Sequence, residues 1–139
     1  MTCPLYDALI VGAGPAGLTA ALALGRVRRT ALVFDSSRFR NEGVTAMHAV
    51  PSRDGAHPAE FRRITRNQIA GKYGHVISFR ESDVVSVARA EVGTEGYIGF
   101  EVLESGGQRF NGRKLILATG SEDLLPEIKG YKENWPEHM

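Results

Sequence analysis

Three glycines and one acid are the residues of this chain best placed to do chemistry. Residues 12–17 read Gly-Ala-Gly-Pro-Ala-Gly, and Asp35 follows Gly17 by 18 residues. A G-x-G-x-x-G spacing alone is a weak signal; it gains meaning when a strand precedes it and a helix follows, within about 30 residues. Both are legible. Residues 6–11 (Tyr-Asp-Ala-Leu-Ile-Val) are a short apolar strand that stops at Gly12, and the Ala- and Leu-rich run from Pro15 to about Val27 has helical spacing. Residues 30–34 (Thr-Ala-Leu-Val-Phe) read as a second strand ending at Asp35. Strand, helix and strand in that order predict a parallel pair with a right-handed crossover.

In that setting each glycine has a physical reason. Gly12 allows a tight turn, Gly14 lets backbone approach a pyrophosphate, and Gly17 lets the helix pack closely on the strand. The helix start at Pro15, Ala16 and Gly17 offers free N–H groups and a positive dipole end to the diphosphate. Asp35 can accept hydrogen bonds from both hydroxyls of a ribose, and its charge would repel a 2′-phosphate, which disfavours NADP. The pattern predicts a dinucleotide site and leaves FAD and NAD undistinguished. Its alternative is a tight turn that binds nothing.

Composition bounds the rest. With 139 residues, 42% hydrophobic and 24% charged, the chain is one domain's worth and can bury a core. No apolar run approaches the roughly 18 residues of a membrane span, and no basic flank marks a secretory signal, so a cytoplasmic setting without membrane is expected. The single cysteine, Cys3, excludes an internal disulfide, a CxxC pair and a cysteine-based zinc site, and is expected to be a bystander. Net charge is +1 but uneven: residues 26–66 carry nine arginines against four acids, residues 81–139 eleven acids against six bases. A basic stretch can attract a phosphorylated ligand, although a solvated face is its commoner meaning. Arg26, Arg28 and Arg29 follow the first helix, where cations are favoured by the dipole in any case. No aromatic residues interleave with the basic ones as in nucleic-acid readers, so nucleic acid is not an expected partner. His57, His75 and His138 show neither metal-ligand spacing nor a paired carboxylate, and no metal is expected.

Other elements must position these residues. Residues 36–57 lack a clear period and contain Gly43, Pro51 and Gly55, so they read as a functional loop. Pro58 opens a helix reaching Tyr73, with Phe61, Ile64, Gln68 and Ile69 on one face. Residues 76–79 form a third strand. Residues 83–91, 97–103 and 108–110 read as antiparallel strands, the last two joined by the turn Ser105-Gly106-Gly107. Residues 114–118 (Lys-Leu-Ile-Leu-Ala) read as a strand buried on both faces. The predicted fold class is α/β, a Rossmann-like parallel sheet with helices and a small antiparallel meander, spanning residues 1–120. Residues 121–139, with Pro126, Gly130 and Pro136, form a connector in which Trp135 packs or anchors.

Residues 114–120 read Lys-Leu-Ile-Leu-Ala-Thr-Gly. A hydrophobic strand ending in Ala-Thr-Gly after a small antiparallel meander resembles the flavoprotein disulfide reductases, most closely the low-molecular-weight thioredoxin reductases. In that family the FAD domain breaks near this point and the chain crosses into an inserted NADPH domain; Pro-Glu-Ile-Lys-Gly at 126–130 and Asn134-Trp135-Pro136 look like that crossover. Arg40-Asn41, His48, Asp54-Gly55, Pro58 and Glu60-Phe61 narrow the match to the fungal thioredoxin-reductase-like flavoproteins of secondary metabolism, including the gliotoxin-type dithiol oxidases. The resemblance implies FAD as cofactor, with contacts from Gly12, Gly14, Pro15, Ala16, Gly17, Asp35, Ser36, Arg40, His48, Ala49, Val50, Asp83, Val84, Ala118, Thr119 and Gly120. His48, Ala49 and Val50 inherit a place near the isoalloxazine ring, which makes His48 the candidate catalytic residue. The family usually has a polar residue after that histidine, where this chain has Ala49. Arg38 and Arg40, just past the ribose acid, could stack on adenine or touch its ribose, the alternative being a solvated role.

The resemblance spans this chain but under half of a full family member: the NADPH domain, its CxxC pair and a late Gly-Asp motif that touches the flavin are not in it. What is expected is the adenosine-diphosphate half of an FAD site without the route from flavin to disulfide. Three functions compete. The first is an FAD-dependent oxidoreductase acting on a small-molecule substrate in a biosynthetic pathway. The second uses FAD structurally for a cyclisation or isomerisation, and the third is a nucleotide-binding pseudo-enzyme that serves another protein. In the family the chain later returns to finish the FAD sheet, so an open edge and an uncovered apolar face are expected here. A homodimer is the simplest cover, with a complementary chain the runner-up.

Overall fold

A computed structural model describes residues 4–135, and Cys3, Pro136 and His138 lie outside the described residues. The elements are β1 (Leu5–Val11), α1 (Pro15–Arg26), β2 (Ala31–Asp35), α2 (Pro58–Tyr73), β3 (Ile77–Glu81), β4 (Val84–Glu91), β5 (Ile98–Glu104), β6 (Arg109–Leu117) and α3 (Tyr131–Asn134). All six strands lie in one sheet, ordered β3-β2-β1-β6-β5-β4. β1 runs parallel to both β2 and β6, and β2 parallel to β3. β5 is antiparallel to both β6 and β4.

The β1-α1-β2 unit forms as its spacing predicts. Ala8 to Val11 pair in register with Ala31 to Phe34, and every residue of β2 is buried. Alternate side chains go to opposite faces. Ala8, Ile10 and Val33 pack with Leu18 and Ala21 of α1 and Ile69 of α2. Leu9, Leu32 and Phe34 pack with Val102 of β5 and Phe110 of β6 on the other side. Phe34 and Phe110 meet edge to face with ring centroids 5.5 Å apart, an arrangement that contributes about 0.5–1.5 kcal/mol beyond the area it buries. α1 begins with Pro15 at its first position, where a missing N–H costs nothing and the fixed φ suits a helix. α2 starts where Pro58 predicts; the His57 ring caps it, Nδ1 accepting the Ala59 N–H at 3.2 Å.

Four expectations are corrected. Residues 108–110 and 114–118 are not separate strands but one, β6, whose first half pairs antiparallel with β5 while its length runs parallel to β1. The polar stretch Asn111-Gly112-Arg113 hides that continuity. Gly112 is needed because a Cβ there would sit 2.6 Å from the Leu9 side chain. The meander therefore extends the main sheet rather than attaching to it. Residues 114–118 are also not buried on both faces, since Leu117 is 66% exposed. Pairing with β5 ends at Gly112, so the second half of β6 has only β1 beside it. Gln68 is exposed, and its expected place on the half-buried side of α2 is taken by Thr65 and Arg66. The connector carries the short helix α3, where Trp135 stacks on Tyr131 at 6.3 Å. Among the described residues no helix is long and apolar enough to cross a membrane.

Candidate functional site: a nucleotide cradle at the end of the parallel strands

The ends of β1, β2 and β6 converge on the glycine loop. Gly12 donates its N–H to Phe34 O at 3.0 Å, and Ala118 donates to Val11 O at 2.9 Å. Gly12 has φ +110°, open to glycine alone, and a Cβ on it would lie 2.2 Å from the Ala118 carbonyl oxygen. A Cβ on Gly17 would lie 1.9 Å from the Gly12 carbonyl oxygen. Both glycines are thus demanded by the chain's own packing of helix on strand.

Gly14 is different. Its φ of −73° is open to any residue, and a Cβ on it would meet nothing within 4 Å. Neither conformation nor neighbours explain glycine there. The open side lies at the start of α1, where the N–H groups of Ala16 and Gly17 have no partner within the helix. A backbone that can be approached closely, donor amides and the positive end of a helix dipole fit a diphosphate.

Asp35 ends β2 and is only 7% exposed. Its Oδ1 accepts the Ser37 N–H at 2.8 Å, and its Oδ2 accepts from Arg66 Nη1 at 3.1 Å. Beside it lies a cavity of about 270 Å³ lined by Ala13, Leu18, Asp35, Phe39 and the α2 residues Arg62, Arg63, Arg66 and Asn67. The Arg62 guanidinium stacks 3.8 Å over the Phe39 ring and donates to Asn41 Oδ1 at 3.0 Å. Burial pulls its pKa below the ordinary arginine value, opposed by the charges of Glu42 and Asp35. Planar guanidinium and aromatic surfaces suit a purine, and the carboxylate suits ribose hydroxyls.

The structure thus gathers Gly12, Gly14, Pro15, Ala16, Gly17, Asp35 and Ala118, with Ser36 half-buried next to the acid. Thr119 and Gly120 continue from β6 and are exposed. Val84 opens β4 and packs on the Leu9–Phe34 cluster. Asp83 pairs with Arg38, Nη2 to Oδ1 at 2.6 Å. Arg40 pairs with Asp123 at 3.0 Å, a hydrogen bond that raises its pKa. The two arginines read as adenine contacts are therefore each held by a carboxylate. The guanidiniums that line the cavity are those of Arg62, Arg63 and Arg66 on α2, which sequence reasoning did not single out, nor Phe39. The signal was the i, i+4 spacing of Arg62 and Arg66 on a helix already predicted.

His48, Ala49 and Val50 form a separate group. His48 is exposed, its Nδ1 3.5 Å from Asp54 Oδ1, and the same oxygen accepts the Ala49 N–H at 2.9 Å. Ala49 and Ser52 have φ near +61° and +65°, a left-handed conformation uncommon outside glycine. Among the described residues, no hydrogen bond or ion pair joins this group to the glycine loop or to Asp35.

Residues 6–139 match the family model described as pyridine nucleotide-disulphide oxidoreductase. The chain is 45% identical over 134 residues to the thioredoxin reductase tcpT of Claviceps purpurea, covering 96% of this chain and 40% of that protein. It is 42% identical to the thioredoxin reductase sirT of Leptosphaeria maculans, covering 99% and 41% respectively. Among solved structures, HlmI superposes with a TM-score of 0.84 at 36% identity, over 95% of this chain and 40% of that one. An oxidoreductase from Agrobacterium tumefaciens superposes with a TM-score of 0.84 at 36% identity, over 96% and 43%. The chain thus spans about 40% of the length of the curated relatives it matches.

Proposed function

This chain belongs to the pyridine nucleotide-disulphide oxidoreductase family, and from that premise we propose that it is the FAD-binding portion of a fungal-type, thioredoxin reductase-like flavoprotein acting in a biosynthetic pathway. One observation carries the reading: Gly14 is glycine at a site where the chain itself places no demand, at a helix start beside a buried acid. The loop and the first turn of α1 bind the diphosphate, Asp35 accepts from the ribose, and Arg62 with Phe39 flanks the adenine. FAD, when bound, supplies two-electron redox chemistry at its ring; these residues hold the end of the molecule remote from it. His48 and its neighbours are proposed to approach the ring end, and a cytoplasmic setting completes the proposal.

Titration of FAD with the 139-residue chain tests this, followed by flavin fluorescence and repeated in excess ADP. Saturable binding that ADP displaces is expected, because the chain's contacts are assigned to the shared adenosine-diphosphate half. FAD binding indifferent to ADP would show that the site lies elsewhere.

We also propose a homodimer. The second half of β6 has a free edge, and Leu117, Leu124 and Ile128 are 62–89% exposed. Open sheet edges and exposed apolar side chains are surfaces that proteins normally cover.

A further inference from the structure

Asp35 is satisfied only in part by the chain. A carboxylate has about four acceptor sites; the Ser37 N–H takes one on Oδ1 and Arg66 Nη1 takes one on Oδ2. The remaining two equal the number of hydroxyls on a nucleotide ribose, and Asp35 lines the cavity. A carboxylate held through both oxygens cannot turn freely about its last bond.

Resting on the nucleotide reading above, we propose that Arg66 is a positioning residue for ribose recognition: it fixes the plane of the Asp35 carboxylate so that its free lone pairs face the cavity. Arg66 is itself anchored. Its Nη2 donates to Glu81 Oε1 at 3.1 Å, and its guanidinium lies 4.7 Å over the Phe79 ring. One rigid fork thereby spans the ends of β2 and β3 and reaches back from α2. Lysine could supply the charge but not the planar two-pronged geometry. The Arg66–Glu81 pair is open to water, its side chains 33% and 72% exposed, and stabilises the fold little. The Arg66–Asp35 pair is largely buried, at 33% and 8%, and its loss would also cost stability, so the test must separate the two roles.

The test is the ratio of affinities for ADP and 2′-deoxy-ADP, measured on wild type, Arg66→Met and Arg66→Lys. Wild type should prefer ADP by about tenfold, the effect of one charge-assisted hydrogen bond. In Arg66→Met, ADP should weaken by about that factor while 2′-deoxy-ADP changes little, so the ratio approaches one; Arg66→Lys should restore only part of it. A structural role would weaken both nucleotides together and keep the ratio. A wild-type ratio retained in Arg66→Met overturns the proposal, and if that variant does not fold, the same criterion applied to Arg66→Lys decides. Failure of the wild type to bind either FAD or ADP overturns the nucleotide reading itself, and Arg66's role with it.

Discussion

Gly14 and Gly17 make opposite predictions although they belong to one motif. In Gly17→Ala the new methyl would sit 1.9 Å from the Gly12 carbonyl oxygen and 2.9 Å from its carbon. Both are backbone atoms, so helix and loop must move apart, and overpacking of this kind costs about 1–3 kcal/mol. In a domain of this size that lowers Tm by roughly 4–12 °C. In Gly14→Val the side chain enters open space at a φ of −73°. Reduced freedom of the unfolded chain contributes about 0.4–1 kcal/mol, and loss of glycine at an N-cap costs a similar few tenths to 1 kcal/mol. The ligand-free Tm should therefore stay within about 3 °C of wild type. FAD at a hundred times its Kd should stabilise the wild type by about 2.7 kcal/mol, and Gly14→Val should show none of this. Circular-dichroism melts with and without FAD read both effects. The reasoning fails if Gly14→Val keeps the FAD-dependent rise in Tm, or if it loses as much ligand-free stability as Gly17→Ala.

Three further outcomes are expected. Glu104 is buried with a side chain 3% exposed, and Arg80 donates to both its oxygens at 2.7 and 3.1 Å. Hydrogen bonding from Arg80 is the first cause that holds its pKa below the ordinary carboxylate value. A lowered folded pKa means stability that is full above the ordinary range and lost as pH falls through it. Glu104→Gln should therefore melt below wild type near neutrality, with the gap closing as pH falls through and below the ordinary carboxylate range; a gap independent of pH would contradict this. The chain holds one cysteine and so cannot form a CxxC pair; NADPH oxidation coupled to a small disulfide should be undetectable for this chain by itself, and steady turnover would refute that. Light scattering on the FAD-loaded protein should give a dimer mass, where a stable monomer at micromolar concentration would count against the covered β6 edge.

The β1-α1-β2 unit was legible because three local signals agree there: an apolar run, a glycine spacing with helical continuation, and an acid at a strand end. β6 was not. Whether Asn111-Gly112-Arg113 breaks a strand depends on what lies beside it, and Leu9, which requires Gly112, is about a hundred residues away in sequence. The helix α2 could be placed from Pro58 to Tyr73, but not the face it turns toward Asp35. Arg62 and Arg66 therefore read as part of a solvated basic run, while Arg38 and Arg40, adjacent to the acid in sequence, drew the adenine assignment. In the fold those two are held by Asp83 and Asp123, partners 45 and 83 residues along the chain. Charge pairing at that separation leaves no local trace.

The claim that this chain is built around an FAD site is tested most directly by the absorbance spectrum of the purified protein, with mass spectrometry of whatever it releases on denaturation. A yellow protein with a flavin spectrum that releases FAD is the predicted result. A folded, colourless protein that takes up no FAD on incubation would contradict it.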